Sequence, residues 1–218
     1  MQLYRTQSKY NISQPDHYEL HEKDYLMKVV AFNGSPRKNG NTSILIKHVF
    51  KELEKEGIKT QIVSLAGLPL RGCGACYQCG KNKNKRCVNE SDKLNDYIAL
   101  MDKADGIILA SPTYFADVTA EMKALIDRAG SVSMSNDSML RRKVGAAVIA
   151  VRRGGEIHPF DTINHFFLIQ QMIIPGSNYW NFGIGRNIGE VKQDTEGLET
   201  MKVLGQNMAW VLRKMKEK

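Results

Sequence analysis

The chain has 218 residues, with 31 lysines and arginines against 23 aspartates and glutamates, a formal net charge of +8. At roughly 100–200 residues per domain this length fits one domain with or without an arm, and 42% apolar with 25% charged residues argues against intrinsic disorder. No apolar run reaches the ~20 residues of a membrane-spanning helix; the longest is Val144–Val151. Residues 1–26 are polar and lack the apolar stretch of a secretory signal, so a soluble cytoplasmic protein is expected. The expected organisation is a polar N-terminal arm (1–26) followed by one domain (27–218). Basic residues cluster at 81–86, 141–143 and 152–153 without a basic helix or a nucleic-acid-binding motif. The charge is therefore expected to serve solubility and to attract small anions such as nucleotides, not nucleic acid.

Taken in order, residues 28–32 (KVVAF) form a β-branched run stopped by Asn33-Gly34, the pattern of a buried strand. After the loop GSPRKNGN, residues 42–56 carry Ile44, Leu45, Val49 and Leu53 at helical spacing, with Gly57 as a stop. Residues 59–65 read as a second strand and 91–103 as a helix capped by Ser91 or Asp92. Residues 106–110 (GIILA) predict a third strand, 119–128 a helix, and Val144–Val151 a fourth strand. A helix over 160–171 then leads to Met172-Ile173-Ile174, the expected last strand, ended by Pro175-Gly176, and 194–216 closes the chain as an amphipathic helix. Such alternation implies right-handed crossovers and a parallel sheet covered by helices on both faces. Five strands suit the doubly wound, flavodoxin-like α/β order 2-1-3-4-5.

In that architecture ligands bind outside the carboxyl ends of the strands. The loop after the first strand enters a helix directly. Unpaired N–H groups, Ser35, Asn41, Thr42, Ser43 and the charge of Arg37 together suit a phosphate monoester. An NTPase loop is excluded, since the second glycine falls one place late and Asn41 stands where lysine is required. Two further loops leave the same rim: Pro112-Thr113-Tyr114-Phe115 after strand three, and the loop with Gly154 and Gly155 after strand four. Cradle, aromatic turn and glycine loop together point to flavin mononucleotide. The run from Gly183 to Gly189 has the wrong spacing for a dinucleotide fingerprint and reads as loop.

All four cysteines lie in one stretch, Cys73, Cys76, Cys79 and Cys87, spaced C-x2-C-x2-C-x7-C within an inserted loop at about 67–90. Three at successive three-residue intervals can wrap a cubane, as in ferredoxins. Zinc and metal-free thiols are the other readings, although structural zinc usually takes two separated pairs.

The phosphate loop GSPRKNGNT, the cysteine array and the segment ADGIILASPTYFADVTAEMKALIDR resemble the iron–sulfur flavoproteins, within the NADPH-dependent FMN reductase branch of flavodoxin-like proteins. The resemblance covers about residues 27–176. It implies a flavodoxin-like fold, bound FMN, a 4Fe–4S cluster on Cys73, Cys76, Cys79 and Cys87, and a homodimer or homotetramer in which a cluster approaches a neighbour's FMN. Ser35, Arg37, Asn41, Thr42 and Ser43 match the FMN phosphate loop; Pro112, Thr113, Tyr114 and Phe115 match the flavin-ring turn. Gly154 and Gly155 match less closely, because Arg152-Arg153 precedes them; the N-terminal arm has no counterpart, and the tract after Pro175 is idiosyncratic. The expected function is a flavin-dependent oxidoreductase passing electrons between a reduced donor, ferredoxin or NAD(P)H, and an acceptor. The cofactors would carry the chemistry and no side chain need act as a base; His48, His158 and His165 read as structural. A cluster-free NAD(P)H-dependent FMN or quinone reductase and a non-enzymatic thiol or metal redox sensor are the competing readings.

Overall fold

A computed structural model describes residues 26–67 and 69–217; the arm expected over 1–26 lies, apart from Leu26, outside the described residues. The elements follow in the order β1 (Lys28–Asn33), α1 (Asn41–Lys55), β2 (Lys59–Ser64), α2 (Gln78–Asn82), α3 (Leu94–Lys103), β3 (Gly106–Pro112), α4 (Ala120–Ser135), β4 (Val144–Val151), α5 (Ile157–Ile169), β5 (Phe182–Ile184) and α6 (Thr195–Lys214). The sheet is five-stranded and parallel, in the order β2-β1-β3-β4-β5, with Phe32 level with Val63 and Leu109. The flavodoxin-like expectation therefore holds.

Alternation along the central strands builds two cores. Val30 and Phe32 of β1, Ile107 and Leu109 of β3, and Ala147 and Ile149 of β4 face one side, where α3, α4 and α5 supply Ile98, Leu125 and Phe167. Val29 and Ala31, Ile108 and Ala110, and Ala146 and Val148 face the other, against Leu45 and Val49 of α1 and Leu204 and Met208 of α6. Each fully buried Val, Leu, Ile or Phe contributes about 1.5–3 kcal/mol. This two-sided burial explains why β1, β3 and β4 read as continuous apolar runs, as parallel strands do.

The last strand departs from expectation. Met172-Ile173-Ile174 is not β5: Ile173 forms one isolated bridge to Val144, donating to Lys143 O (2.9 Å) and accepting from Gly145 N (2.9 Å). Pro175, which has no N–H, ends this pairing. The chain detours and resumes the edge as β5, paired with Ile149–Val151 of β4. The first two residues of the glycine run read as loop, Gly183 and Ile184, thus belong to the sheet.

Helix limits also shift. α4 runs on to Ser135, seven residues beyond the expected 128, after an N-cap in which Thr119 Oγ1 accepts from Met122 N. α3 starts at Leu94, whose N–H donates to Asp92 Oδ1 at 3.1 Å. The short α2, inside the cysteine loop, carries no periodicity that a sequence reading could detect.

Candidate functional site

At the carboxyl edge of the sheet, a cleft of about 270 Å³ is lined by Ser35, Arg37, Asn41, Thr42, Pro112, Thr113, Tyr114, Ala150, Val151, Arg152, Gly185 and Arg186. Three arginines converge on it, and α1 begins at Asn41 with no side-chain cap on its first turn. Uncapped amides, hydroxyls and guanidinium groups form a donor set for a dianionic phosphate. Gly34 donates to Ala110 O (2.8 Å), and a Cβ on it would lie 2.7 Å from Thr119 Oγ1, so a bare backbone is required where the loop passes α4. Thr113 Oγ1 is buried in the structure without a hydrogen-bond partner. A buried hydroxyl left open beside a cleft fits the polar edge of a flavin ring.

The sequence-derived residues divide in two. Ser35, Arg37, Asn41, Thr42, Pro112, Thr113 and Tyr114 line the cleft, whereas Ser43, Phe115, Gly154 and Gly155 do not. Ser43 is buried below the loop, where its Oγ accepts from Asn33 Nδ2 at 2.9 Å. Phe115 is fully exposed at the tip of a tight turn in which Tyr114 and Asp117 exchange both backbone hydrogen bonds. Gly155 packs behind the turn at Thr113 and Ala116: a Cβ on it would meet Ala116 Cβ at 3.4 Å and Thr113 Cγ2 at 3.6 Å.

Asn41 braces the cleft. Its Nδ2 donates to Gly185 O and Asn187 O, both at 2.9 Å, and its Oδ1 accepts from Gly189 N at 2.9 Å. Arg37 Nη1 donates to Arg186 O (2.9 Å) across the same gap. Glu190 accepts from the Asn187 and Arg186 N–H groups, which holds its carboxyl below the usual carboxylate range. Gly185 and Arg186 thus become part of the site, although the sequence reading left them in an unassigned loop. Their local signal is weak because these contacts span more than 140 positions.

The cysteines lie elsewhere. Cys73, Cys76, Cys79 and Cys87 all line a second cavity of about 660 Å³, together with Tyr77, Arg128, Ser131 and Ser135. Among the described residues no group of three or more His, Cys, Asp or Glu side chains is gathered closely enough for a metal ion. Four thiols around one larger cavity are a donor set for an iron–sulfur group, whose sulfurs are spread over several irons. The loop is held from outside: Asn95 accepts from Cys87 N (2.8 Å) and donates to Cys87 O (2.9 Å), and Asn136 accepts from Lys85 N (2.9 Å). Beneath it Arg128 pairs with Asp92 and donates to Arg71 O and Asn89 O, both at 3.1 Å. Burial disfavours both charges. The hydrogen bond between them overcomes it, holding Asp92 below and Arg128 above its ordinary range. His48, His158 and His165 line neither cavity.

A 2-1-3-4-5 parallel sheet with a donor-lined cleft at its carboxyl edge defines a protein of the flavodoxin-like class. Residues 27–187 match the NADPH-dependent FMN reductase family. An iron–sulfur flavoprotein of Methanocaldococcus jannaschii is 38% identical over 198 residues, covering 88% of this chain and all of that protein. One of Methanosarcina thermophila is 32% identical, over 85% of this chain and 95% of that one. A WrbA-like flavodoxin from Agrobacterium tumefaciens shares the fold, with a TM-score of 0.61 at 18% identity over 88% of this chain and 99% of that one. The chain belongs to the iron–sulfur flavoprotein family, within the NADPH-dependent FMN reductases, and is a flavin-dependent oxidoreductase. Among the described residues no helix is long and apolar enough to cross a membrane.

Proposed function

We propose that the protein passes electrons between a reduced donor, ferredoxin or NAD(P)H, and an acceptor through FMN in the carboxyl-edge cleft and a 4Fe–4S cluster on Cys73, Cys76, Cys79 and Cys87. Bound flavin would supply exchange between paired and single electrons. Ser35, Arg37 and Thr42 would hold its phosphate, with Asn41 and Ser43 fixing the loop behind them. Pro112, Thr113 and Tyr114 would hold the ring, with Gly154 and Gly155 supporting that turn and Phe115 facing outward for a partner. The observation that carries this reading is the convergence of all four cysteines on one cavity, separate from the phosphate cleft.

The separation bears on assembly. Thr119, beside the phosphate loop, is followed along α4 by Ser131 and Ser135 beside the cysteines, about 18 and 24 Å away at 1.5 Å per residue. Such a span favours transfer from one subunit's cluster to a neighbour's flavin, hence a homodimer or homotetramer. Leu168, Ile169, Trp180 and Trp210, each more than half exposed, offer apolar surface for that contact.

Anaerobic purification followed by flavin, iron and acid-labile sulfide analysis tests the reading. Equal iron and sulfide, with a broad brown absorption beneath the flavin bands, is expected. Flavin bands alone would favour the cluster-free reductase. Gel filtration tests the assembly, and a monomer under all conditions would overturn it.

A further inference from the structure

Of the five α4 residues that line the cysteine cavity, Val132 and Met134 are apolar and Arg128, Ser131 and Ser135 are polar. Arg128, Ser131 and Ser135 stand at i, i+3 and i+7 and so share one face. Arg128 lines the same cavity as Cys87. The two serines meet different cysteines. Ser131 Oγ lies 3.8 Å from Cys73 Sγ, and Ser135 Oγ lies 3.6 Å from Cys79 Sγ. Ser131 Oγ also donates to Asp127 O at 2.8 Å, so its proton must swing from that carbonyl to serve a thiolate. Cys79 Sγ donates to Ser135 Oγ, which has no other hydrogen-bond partner among the described residues; once Cys79 gives up its proton to become a thiolate ligand, the Ser135 hydroxyl is the group left to donate.

We propose that Ser135, together with Ser131, sets the electron affinity of the group held by the four cysteines, as positioning residues whose hydroxyls lie beside two of its sulfurs. The inference rests on the cluster reading above. A one-electron reduction by the donor adds one negative charge to the sulfur cage; no bond forms or breaks and no proton moves. Donors fixed at the sulfurs offset that charge and so favour the reduced form, the usual effect of hydrogen bonds on thiolate-held clusters.

The test is a spectroelectrochemical titration of the reconstituted full chain, comparing wild type with S131A, S135A, the double variant and S135T. The double variant is expected to lower the one-electron reduction constant about tenfold, a shift of ~59 mV to more negative potential. S135A should give part of this shift and S135T, which keeps the hydroxyl, should stay near wild type. Should the double variant not retain the cluster, S135A alone carries the comparison, because it leaves the helix bond of Ser131 intact. An intact cluster signal with an unchanged potential in S135A and the double variant would overturn the proposal while leaving the cluster reading in place. Wild-type protein that acquires no iron–sulfur absorption would overturn the cluster reading and the proposal with it.

Discussion

Arg128 and Asp92 form an ion pair of 2.5 Å in which each side chain is about 1% exposed, joining α4 to the start of α3 beneath the cysteine loop. The two residues lie 36 positions apart. Arg128 also donates to the carbonyls of Arg71 and Asn89, at the two ends of the cysteine stretch, so one guanidinium closes the loop on both sides.

Breaking that pair should be costly. Removing one partner of a buried ion pair leaves an uncompensated charge, worth about 3–5 kcal/mol. Arg128→Ala and Asp92→Ala should each lower the urea midpoint accordingly. The double substitution should cost less than the sum of the two, as residues in one network do. Additive losses would show that the pair is not coupled.

The same pair predicts an acid limb. Asp92 titrates lower in the folded chain than in the unfolded one, because Arg128 and the Leu94 N–H hold its charged form against burial. The unfolded state therefore binds more protons near pH 4, so the stabilisation is complete above the unfolded value of about 3.9 and is lost as pH falls through the lower folded value. Asp92→Asn should flatten this limb in pH-dependent unfolding, and an unchanged slope below pH 4 would contradict the assignment.

Flavin affinity should depend on Arg37 through the phosphate alone. A charge-assisted hydrogen bond is worth about 1.5–3 kcal/mol, so Arg37→Ala should weaken FMN roughly 10- to 100-fold. Riboflavin, which lacks the phosphate, should bind both proteins alike. Fluorescence-quenching titrations with the two flavins provide the comparison.

Gly185→Ala should damage the cleft from behind. A Cβ there would sit 2.6 Å from Val191 N and 2.8 Å from Asn41 Nδ2, forcing the brace apart. Overpacking of this kind costs about 1–3 kcal/mol. Both the melting temperature and FMN affinity should fall, and a variant of unchanged affinity would separate the brace from the phosphate site.

At the ring turn, Phe115 and Ala116 both adopt positive φ (48° and 58°) at the centre of a two-residue hairpin. Asn-Gly suits that geometry far better. Replacing Phe115 by Asn and Ala116 by Gly should therefore raise the melting temperature by removing roughly 1 kcal/mol or more of strain. If the exposed ring serves partner contact, turnover with a protein donor should fall in the same variant.

Much of this protein can be read from its residues in order. Val29–Phe32, Ile107–Ala110 and Val144–Val151 announce central parallel strands because burial on both faces leaves them no polar positions. The phosphate loop and the cysteine array are equally legible, since each concentrates its chemistry within a short span where spacing alone carries meaning. Tertiary structure decided the rest. Three residues at 182–184, not the more apolar 172–174, became the edge strand, because Pro175 ends the first pairing and the vacant edge of β4 is a non-local partner. Arg186 and Gly185 entered the cleft through bonds to Arg37 and Asn41 across more than 140 positions. Arg128, on the sequence one more cation of a predicted helix, acquired its role from Asp92 and the carbonyls of Arg71 and Asn89, which only the packing of α4 against the cysteine loop brings within reach. Local pattern reports how a segment is buried; which groups meet across the core depends on the closing of long loops, and no short window of sequence contains that information.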